Sequence, residues 1–349
     1  MRARPGSAIS SVTRMRAMGP SVGPRAVYDD AERRVTIMAD SIVVVGAGLS
    51  GIIAARSLQA AGRAAVLLDK GRVPGGRLAT RRVAGGTLDH GAQFFTVRSE
   101  AFGATVADLV AAGAVQEWCR GFNETDGYPR YAAANGMNAL ARTLAADLDV
   151  RCDVTVQSIT RGPDGWRIAT GAGTLDAPAV VLTAPLPQAL ALLDAGGTAY
   201  DPELAAVTFH RVLALLVTLD GAPAVGEPGA RQLGDGLFSF VADNARKGVS
   251  AVPALTLHVA HGPSADRWDD PDDDVRADLL AAAAPWIGGA RVVEAQLKRW
   301  RYAGPVIPRP EHGVTVDDGL VLAGDAFAGA KVEGAFLSGL AAAASLLEG

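Results

Sequence analysis

Cysteine, lysine, aromatic residues and long apolar runs are all scarce in this sequence. Two cysteines, Cys119 and Cys152, occur in 349 residues with no CxxC spacing. That excludes a disulfide scaffold, a zinc ribbon and a dithiol redox centre, and leaves two free thiols of a reducing cytoplasm. Only Lys70, Lys247, Lys298 and Lys331 are lysines among 33 basic residues, and the formal net charge is -4. A generic nucleic-acid binder would carry a basic surface instead. No stretch reaches the ~18 apolar residues of a membrane-spanning helix, because the longest uncharged segments, 41–55 and 177–193, are interrupted by three Gly and three Pro respectively. The five histidines, His90, His210, His258, His261 and His312, are scattered, so no metal site is expected. The reading is of a soluble cytoplasmic protein with no membrane or nucleic-acid partner.

What is present is an ordinary globular balance, 49% hydrophobic and 20% charged, with 41 glycines. Glycine at that level, against an average of ~7%, asks for tight turns and close backbone approaches. Residues 1–37 have no acid before Asp29 and no apolar periodicity. They read as a disordered N-terminal extension, with Met38 a candidate start. Ile42–Val45 has the all-apolar composition of a parallel strand buried on both faces, Leu49–Ala61 has helical spacing, and Ala65–Leu68 is a second buried strand ending at Asp69. The unit has the size of a βαβ crossover. Further on, helices are expected over 101–121 and 135–148, an antiparallel meander over 154–168, and a buried strand at 179–182. Strand-like runs follow at 207–219, 237–241 and 251–259, then a helix at 275–284 and a strand near 291–299. A strand at 320–323 precedes a final Ala-rich helix over 333–347. The acidic run 269–274 lacks the ligand alternation of an EF-hand and is read as the N-terminal cap of the next helix.

The first strand–helix junction reads Gly46-Ala47-Gly48-Leu49-Ser50-Gly51. Gly46 permits the sharp turn, Gly48 presents no Cβ to a pyrophosphate, and Gly51 lets helix and strand approach closely. The unpaired N–H groups and positive dipole of the helix start favour phosphate there. Asp69, 18 residues past Gly51, ends the second strand where a carboxylate can accept from ribose hydroxyls. Near the other terminus, Leu320-Val-Leu-Ala-Gly324-Asp325 is an apolar strand ending in Gly-Asp, and Glu333-Gly334-Ala335 opens the last helix. That pair would grip the far end of a long dinucleotide, with Asp325 on a ribityl chain and the helix dipole near a flavin. The two chain ends are therefore expected to clasp one cofactor.

These segments together resemble the flavin amine oxidase superfamily, and within it the bacterial renalase-like proteins. The likeness rests on Asp69-Lys-Gly-Arg72 running into Gly75-Gly-Arg77 and Thr80-Arg-Arg82, on Asp89-His-Gly-Ala-Gln-Phe-Phe-Thr96, on Gly136-Met137-Asn138, on Trp300-Arg-Tyr302, and on Gly324-Asp325 with Glu333–Gly339. The resemblance implies an α/β fold: a glutathione-reductase-type, FAD-binding Rossmann-like domain with an inserted mixed β-sheet and helix substrate (cap) domain. The FAD-binding domain would take residues 38–97, 131–190 and 301–349, and the cap 98–130 and 191–300. FAD would contact Gly46, Gly48, Leu49, Ser50, Gly51, Asp69, Lys70, Gly76, Arg77, Gln93, Phe94, Gly324, Asp325, Glu333, Gly334 and Ala335, with Val154 and Val156 beside the adenine. Neither cysteine lies near the C-terminal motif, so non-covalent FAD is expected.

Renalase-like enzymes return isomeric dihydronicotinamides to NAD(P)+ and pass the electrons to O2 as hydrogen peroxide; the same chemistry is expected here. The alternative is a flavin oxidase or dehydrogenase acting on an amine or secondary metabolite. Hydride transfer from a dihydropyridine needs positioning and excluded water rather than a protein base. His90, in the motif near the expected flavin, and Trp300 and Tyr302, at the return into the FAD domain, are the candidate catalytic residues.

Overall fold

The computed structural model describes residues 37–348 apart from 39, 125, 235 and 328. The expected extension over 1–37 lies outside them except for Ile37, which is half-buried against the core. Ile42–Val45 is fully apolar, and three of its four residues are wholly buried. It pairs in parallel with Ala65–Leu68 on one side and Val180–Leu182 on the other. Asp149–Arg151 continues the sheet beyond Ala65–Leu68, Leu320–Leu322 beyond Val180–Leu182, and Val314–Asp317 closes that edge antiparallel. The two termini of the described chain thus share one six-stranded sheet, with Leu320–Leu322 separated from Ile42–Val45 by a single strand.

Helix Leu49–Ala60 covers one face of this sheet, and helix Val332–Glu348 packs on that helix. Contact between them is close because Gly339 lacks the Cβ that would overlap the Ser50 carbonyl. Ile52 and Leu58 are wholly buried in this core, each contributing about 2–3 kcal/mol by burial. Helix Glu100–Ala111, expected with the cap, instead adds Phe102, Val106 and Leu109 to the same core, with Phe102 against Phe336 at 4.9 Å between ring centroids. It is shorter than the expected 101–121 element. Gly113 turns the chain at φ +70°, and Val115–Cys119 is a strand paired with Arg130–Ala133. The next helix is likewise confined to Met137–Leu144. The other face of the sheet carries the three-stranded meander Val156–Gly162, Gly165–Thr170 and Gly173–Ala177, with helix Leu186–Gly196.

The second large sheet comes from the chain between these elements, in the order Ala230–Gln232, Phe238–Asp243, Ala254–Val259, Phe209–Leu219, Val292–Pro305. Every pairing is antiparallel, where the sequence reading expects a mixed sheet. One face packs on helices Asp272–Ala282 and Ala284–Ile287 through Leu213, Leu215, Leu257 and Leu297. Asp272, Asp273 and Asp274 sit in the first turn of their helix, with Pro271 in the cap position, so they complement its dipole rather than cap it. The opposite face carries Val212, Ala214, Leu216, Thr256, His258, Lys298 and Trp300, set there by the pairings Val212↔Trp300, Ala214↔Lys298 and Ala214↔His258. The hairpin Thr80–Val83/Gly86–Asp89 lies against that face, with Val83 and Leu88 on Leu216 and Ala254. Among the described residues, no helix is long and apolar enough to cross a membrane.

Candidate active site

The glycine turn is locked from within the sheet. Thr183 Oγ1 donates toward the carbonyls of Val45 and Gly46 (3.1 and 3.0 Å). Gly46 has φ +107°, and a Cβ at Gly51 would overlap the Gly46 carbonyl oxygen. Gly48 differs: a Cβ built there meets no atom within 4 Å. Gly48 is the N-cap of helix Leu49–Ala60 and offers no side-chain cap, so the first-turn N–H groups have no side-chain acceptor from that position. Ser50, in this first turn, is 5% exposed, and its Oγ has no hydrogen-bond partner. Asp69 closes the turn by accepting from Ala47 N–H and Gly71 N–H, each at 2.6 Å; a carboxylate with both oxygens so used retains lone pairs for further donors. The backbone of 153–154 frames it, through Asp153 N–H to Gly71 O and Val154 N–H to Asp69 O at 3.0 Å each. Val154 is half-buried and Val156 buried in the adjoining strand. Gly76 lies beside Gly48.

The C-terminal motif arrives at the same place. The Arg77 guanidinium grips the Asp325 carboxylate with two hydrogen bonds, Nη2 to Oδ1 at 2.6 Å and Nη1 to Oδ2, and Arg77 Nη1 also donates to Tyr302 O at 3.2 Å. Such forked pairs fix orientation as well as energy. Ser338 Oγ, inside the last helix, accepts from Gly324 N–H at 2.8 Å. Gly334 and Ala335 lie in the first turn of that helix.

Two expected cofactor side chains turn elsewhere. The Glu333 carboxylate accepts from Arg98 N–H (3.0 Å), Ser99 N–H (2.6 Å) and Ser99 Oγ (2.7 Å), tying the last helix to the start of helix Glu100–Ala111. Lys70 is exposed and donates to Gln188 Oε1 at 3.0 Å.

His90, Trp300 and Tyr302 converge beyond Arg77. The His90 and Trp300 rings stack at 5.2 Å and 23°, and Trp300 Nε1–H donates to His90 O at 2.7 Å. Tyr302 meets Phe209 edge-on at 5.7 Å. Burial, aided by the nearby Lys298 charge, lowers His90 to about 4, so its imidazole is neutral at pH 7; its Nδ1 is buried without a partner. Gln93 Nε2 donates to Asp89 O at 2.7 Å and lies 3.4 Å from His258 Nε2, while Gln93 Oε1 is also buried and unpartnered. His258, also lowered to about 4 by burial, faces this turn. Phe94 stacks on Phe240 at 5.8 Å and meets Phe122 edge-on at 4.7 Å, and Trp118 completes the aromatic cluster.

Sequence reasoning missed Thr183, Ser338, Lys247 and Asn244. The last two reach Asp89 from the loop after strand Phe238–Asp243, and nothing in their local spacing marks them. Asn138 and Thr80 stand within quoted motifs, and the structure joins them: Asn138 Nδ2 donates to Pro74 O (2.5 Å) and Thr80 Oγ1 accepts from Asn138 N–H (3.0 Å).

Residues 98–347 match the model of the flavin containing amine oxidoreductase family, and residues 44–109 match that of an NAD(P)-binding Rossmann-like domain. The protein belongs to the flavin containing amine oxidoreductase family and is an FAD-dependent oxidoreductase. Its fold is similar to that of a protein assigned as a protoporphyrinogen oxidase from Exiguobacterium sp. 255-15, with TM-score 0.70 and 15% identity over 90% of this chain and 100% of that one. It is also similar to wild-type putrescine oxidase bound to putrescine (TM-score 0.67, 14% identity, 89% of this chain and 100% of that one). A third neighbour is cyclohexylamine oxidase from Brevibacterium oxydans IH-35A (TM-score 0.66, 15% identity, 89% and 99%). At these identities the likeness concerns the fold.

The residues present fit a flavin dinucleotide. Buried polar atoms are normally hydrogen-bonded, and leaving one unpaired costs about 1–3 kcal/mol. Here Ser50 Oγ is unpaired at the glycine turn, as are His90 Nδ1 and Gln93 Oε1 by the aromatic wall, while Gly48 opens onto free space.

Proposed function

We propose that this protein is a renalase-like oxidase that takes hydride from isomeric reduced nicotinamide nucleotides and delivers the electrons to O2, giving hydrogen peroxide. FAD, held without a covalent bond, would lie on the Leu49–Gly51 helix start, Asp69, the Val154–Val156 segment, Arg77, Gln93 and the Gly324–Asp325 turn. When bound it supplies the hydride acceptor. The single observation carrying this substrate class is the charge balance at the His90 end. The acids around it are paired with other cations: Asp89 with Lys247, Asp325 with Arg77, and Asp272, whose charge reaches Lys298, with Arg299. Lys298 is half-buried, on the same face of its strand as Trp300, and neither it nor Arg81 on the adjoining hairpin has an acid within 4 Å among the described residues. Burial and the nearby Arg81 charge push Lys298 below its ordinary range. Spare positive charge attracts a phosphorylated donor and repels a cationic amine.

The chain's own part is then positioning. The Trp300–His90 stack offers a flat wall to a dihydropyridine ring, Trp300 fixes that wall through its N–H, and neutral His90 adds no competing charge. Orientation and water exclusion provide the acceleration, since the donor carbon already carries hydride.

Anaerobic single-turnover mixing tests the reading. Isomerised NADH is expected to bleach the flavin roughly tenfold or more faster than authentic NADH, with benzylamine inert; rapid bleaching by the amine alone overturns it. The aromatic cluster of Phe94, Phe122, Phe240 and Trp118 favours a second reading, oxidation of an apolar amine or secondary metabolite bound in its neutral form, and the same experiment separates the two.

A further inference from the structure

One residue beside the candidate active site gathers an unusual number of segments. Asp89 is wholly buried. Its Oδ1 accepts from Thr80 Oγ1 (2.5 Å) and from Met137 N–H (2.8 Å), so it holds both the hairpin and the start of helix Met137–Leu144. Its Oδ2 accepts from Lys247 Nζ at 2.7 Å, and both side chains are 0% exposed. Its backbone N–H donates to Asn244 Oδ1 (3.2 Å), and its carbonyl accepts from Thr256 Oγ1 (2.8 Å) and Gln93 Nε2 (2.7 Å). Lys247 comes from the loop after Phe238–Asp243, lies 5.2 Å from the Trp118 ring centroid, and finds in Asp89 its hydrogen-bonding partner.

A buried ion pair contributes little net stability compared with apolar residues of the same size, so what this one supplies is the fixing of one arrangement. Here that arrangement is the position of His90, next in sequence, whose ring faces Trp300. We propose that Lys247 is a positioning residue: through the Asp89 carboxylate it holds the His90–Gln93 turn in register with the Trp300 face of the cap sheet.

The proposal differs from a merely structural role in its dependence on charge. In Lys247→Met the cation is lost and its shape retained, leaving a buried carboxylate with only the neutral donors Thr80 Oγ1 and Met137 N–H. That variant tolerates low pH, where the carboxyl takes up a proton, and fails as pH rises. The other titratable and charged groups facing this turn are His90 itself, His258 and Lys298 from the cap sheet and Arg81 from the hairpin; all four persist in a Lys247→Met/Asp89→Asn double variant, which therefore controls for them. Flavin-loaded wild type, single and double variants are compared between pH 6.5 and 9 by melting temperature and by the flavin visible spectrum, neither of which requires a substrate. Lys247→Met is expected to lose roughly 5 °C or more across this range and to shift its spectrum with the same pH dependence, while wild type and double variant change far less. Lys247→Arg should restore the wild-type spectrum. A pH-independent loss in Lys247→Met, a double variant worse than the single, or failure of both to fold overturns the proposal.

Discussion

The two ends of the candidate active site are assembled from different materials. At the Gly46 end most contacts are local and use backbone groups: a turn, a helix start and a strand-end carboxylate lie within 30 residues, and Asp69 accepts from the Ala47 and Gly71 N–H groups. Thr183 is the side chain that comes from farther along the chain. At the His90 end the contacts are made by side chains brought from distant segments, with Trp300 on His90, Lys247 and Asn244 on Asp89, and Arg77 on Asp325. Backbone geometry serves any dinucleotide, whereas side chains from distant segments can be changed without disturbing the turn. That division lets one cofactor-binding frame host different substrates.

The largest expected effect breaks the first end in two distinct ways. Gly51→Ala places a Cβ inside the Gly46 carbonyl, and the clash of helix on strand should leave insoluble protein or remove several °C of melting temperature. Gly48→Val has open space around it, so the variant should remain folded, with a circular dichroism spectrum like wild type, yet be purified colourless. If the two variants behave alike, the open space at Gly48 is not the pyrophosphate cradle.

A second prediction concerns the other end and its buried histidines. His90 and His258 bind protons less readily folded than unfolded, at about 4 against an ordinary value near 6.5. Their stabilisation is therefore complete above pH 6.5 and lost as pH falls toward 4, by at most about 3 kcal/mol each. Melting curves of wild type should decline over that window, and a His90→Gln/His258→Gln variant should decline less. Equal slopes would mean that other groups govern acid sensitivity. The smallest effect is expected for Lys70→Ala: its ammonium is exposed and turned to Gln188, so flavin affinity should change by less than about threefold in a titration with FAD. A larger loss would show that Lys70 swings onto the cofactor.

How much of this could be seen in the sequence follows the same division. Ile42–Val45, the helix from Leu49 and the strand ending at Asp69 were legible because burial on both faces, helical spacing and glycine chemistry are properties of neighbouring residues. Helix 101–121 was not, because its apolar content suits helix or strand equally, and only Gly113 and the pairing of Val115–Cys119 with Arg130–Ala133 end it at Ala111. Glu333 was legible as a residue near the last helix start but not in its direction: three donors at Arg98 and Ser99 capture its carboxylate.

The order of residues alone determined a βαβ unit with a glycine turn before its helix, a carboxylate at the end of its second strand, and another strand ending in Gly-Asp near the far terminus, since each is written in contiguous positions. Only the tertiary structure decided that Asp325 meets Arg77, that Trp300 lies on His90, and that a lone lysine from the inserted sheet is buried against Asp89. Those pairings join residues 158 to 248 positions apart, and partners at such separations are selected by complementary shape and charge once the sheets have formed, which no local pattern encodes.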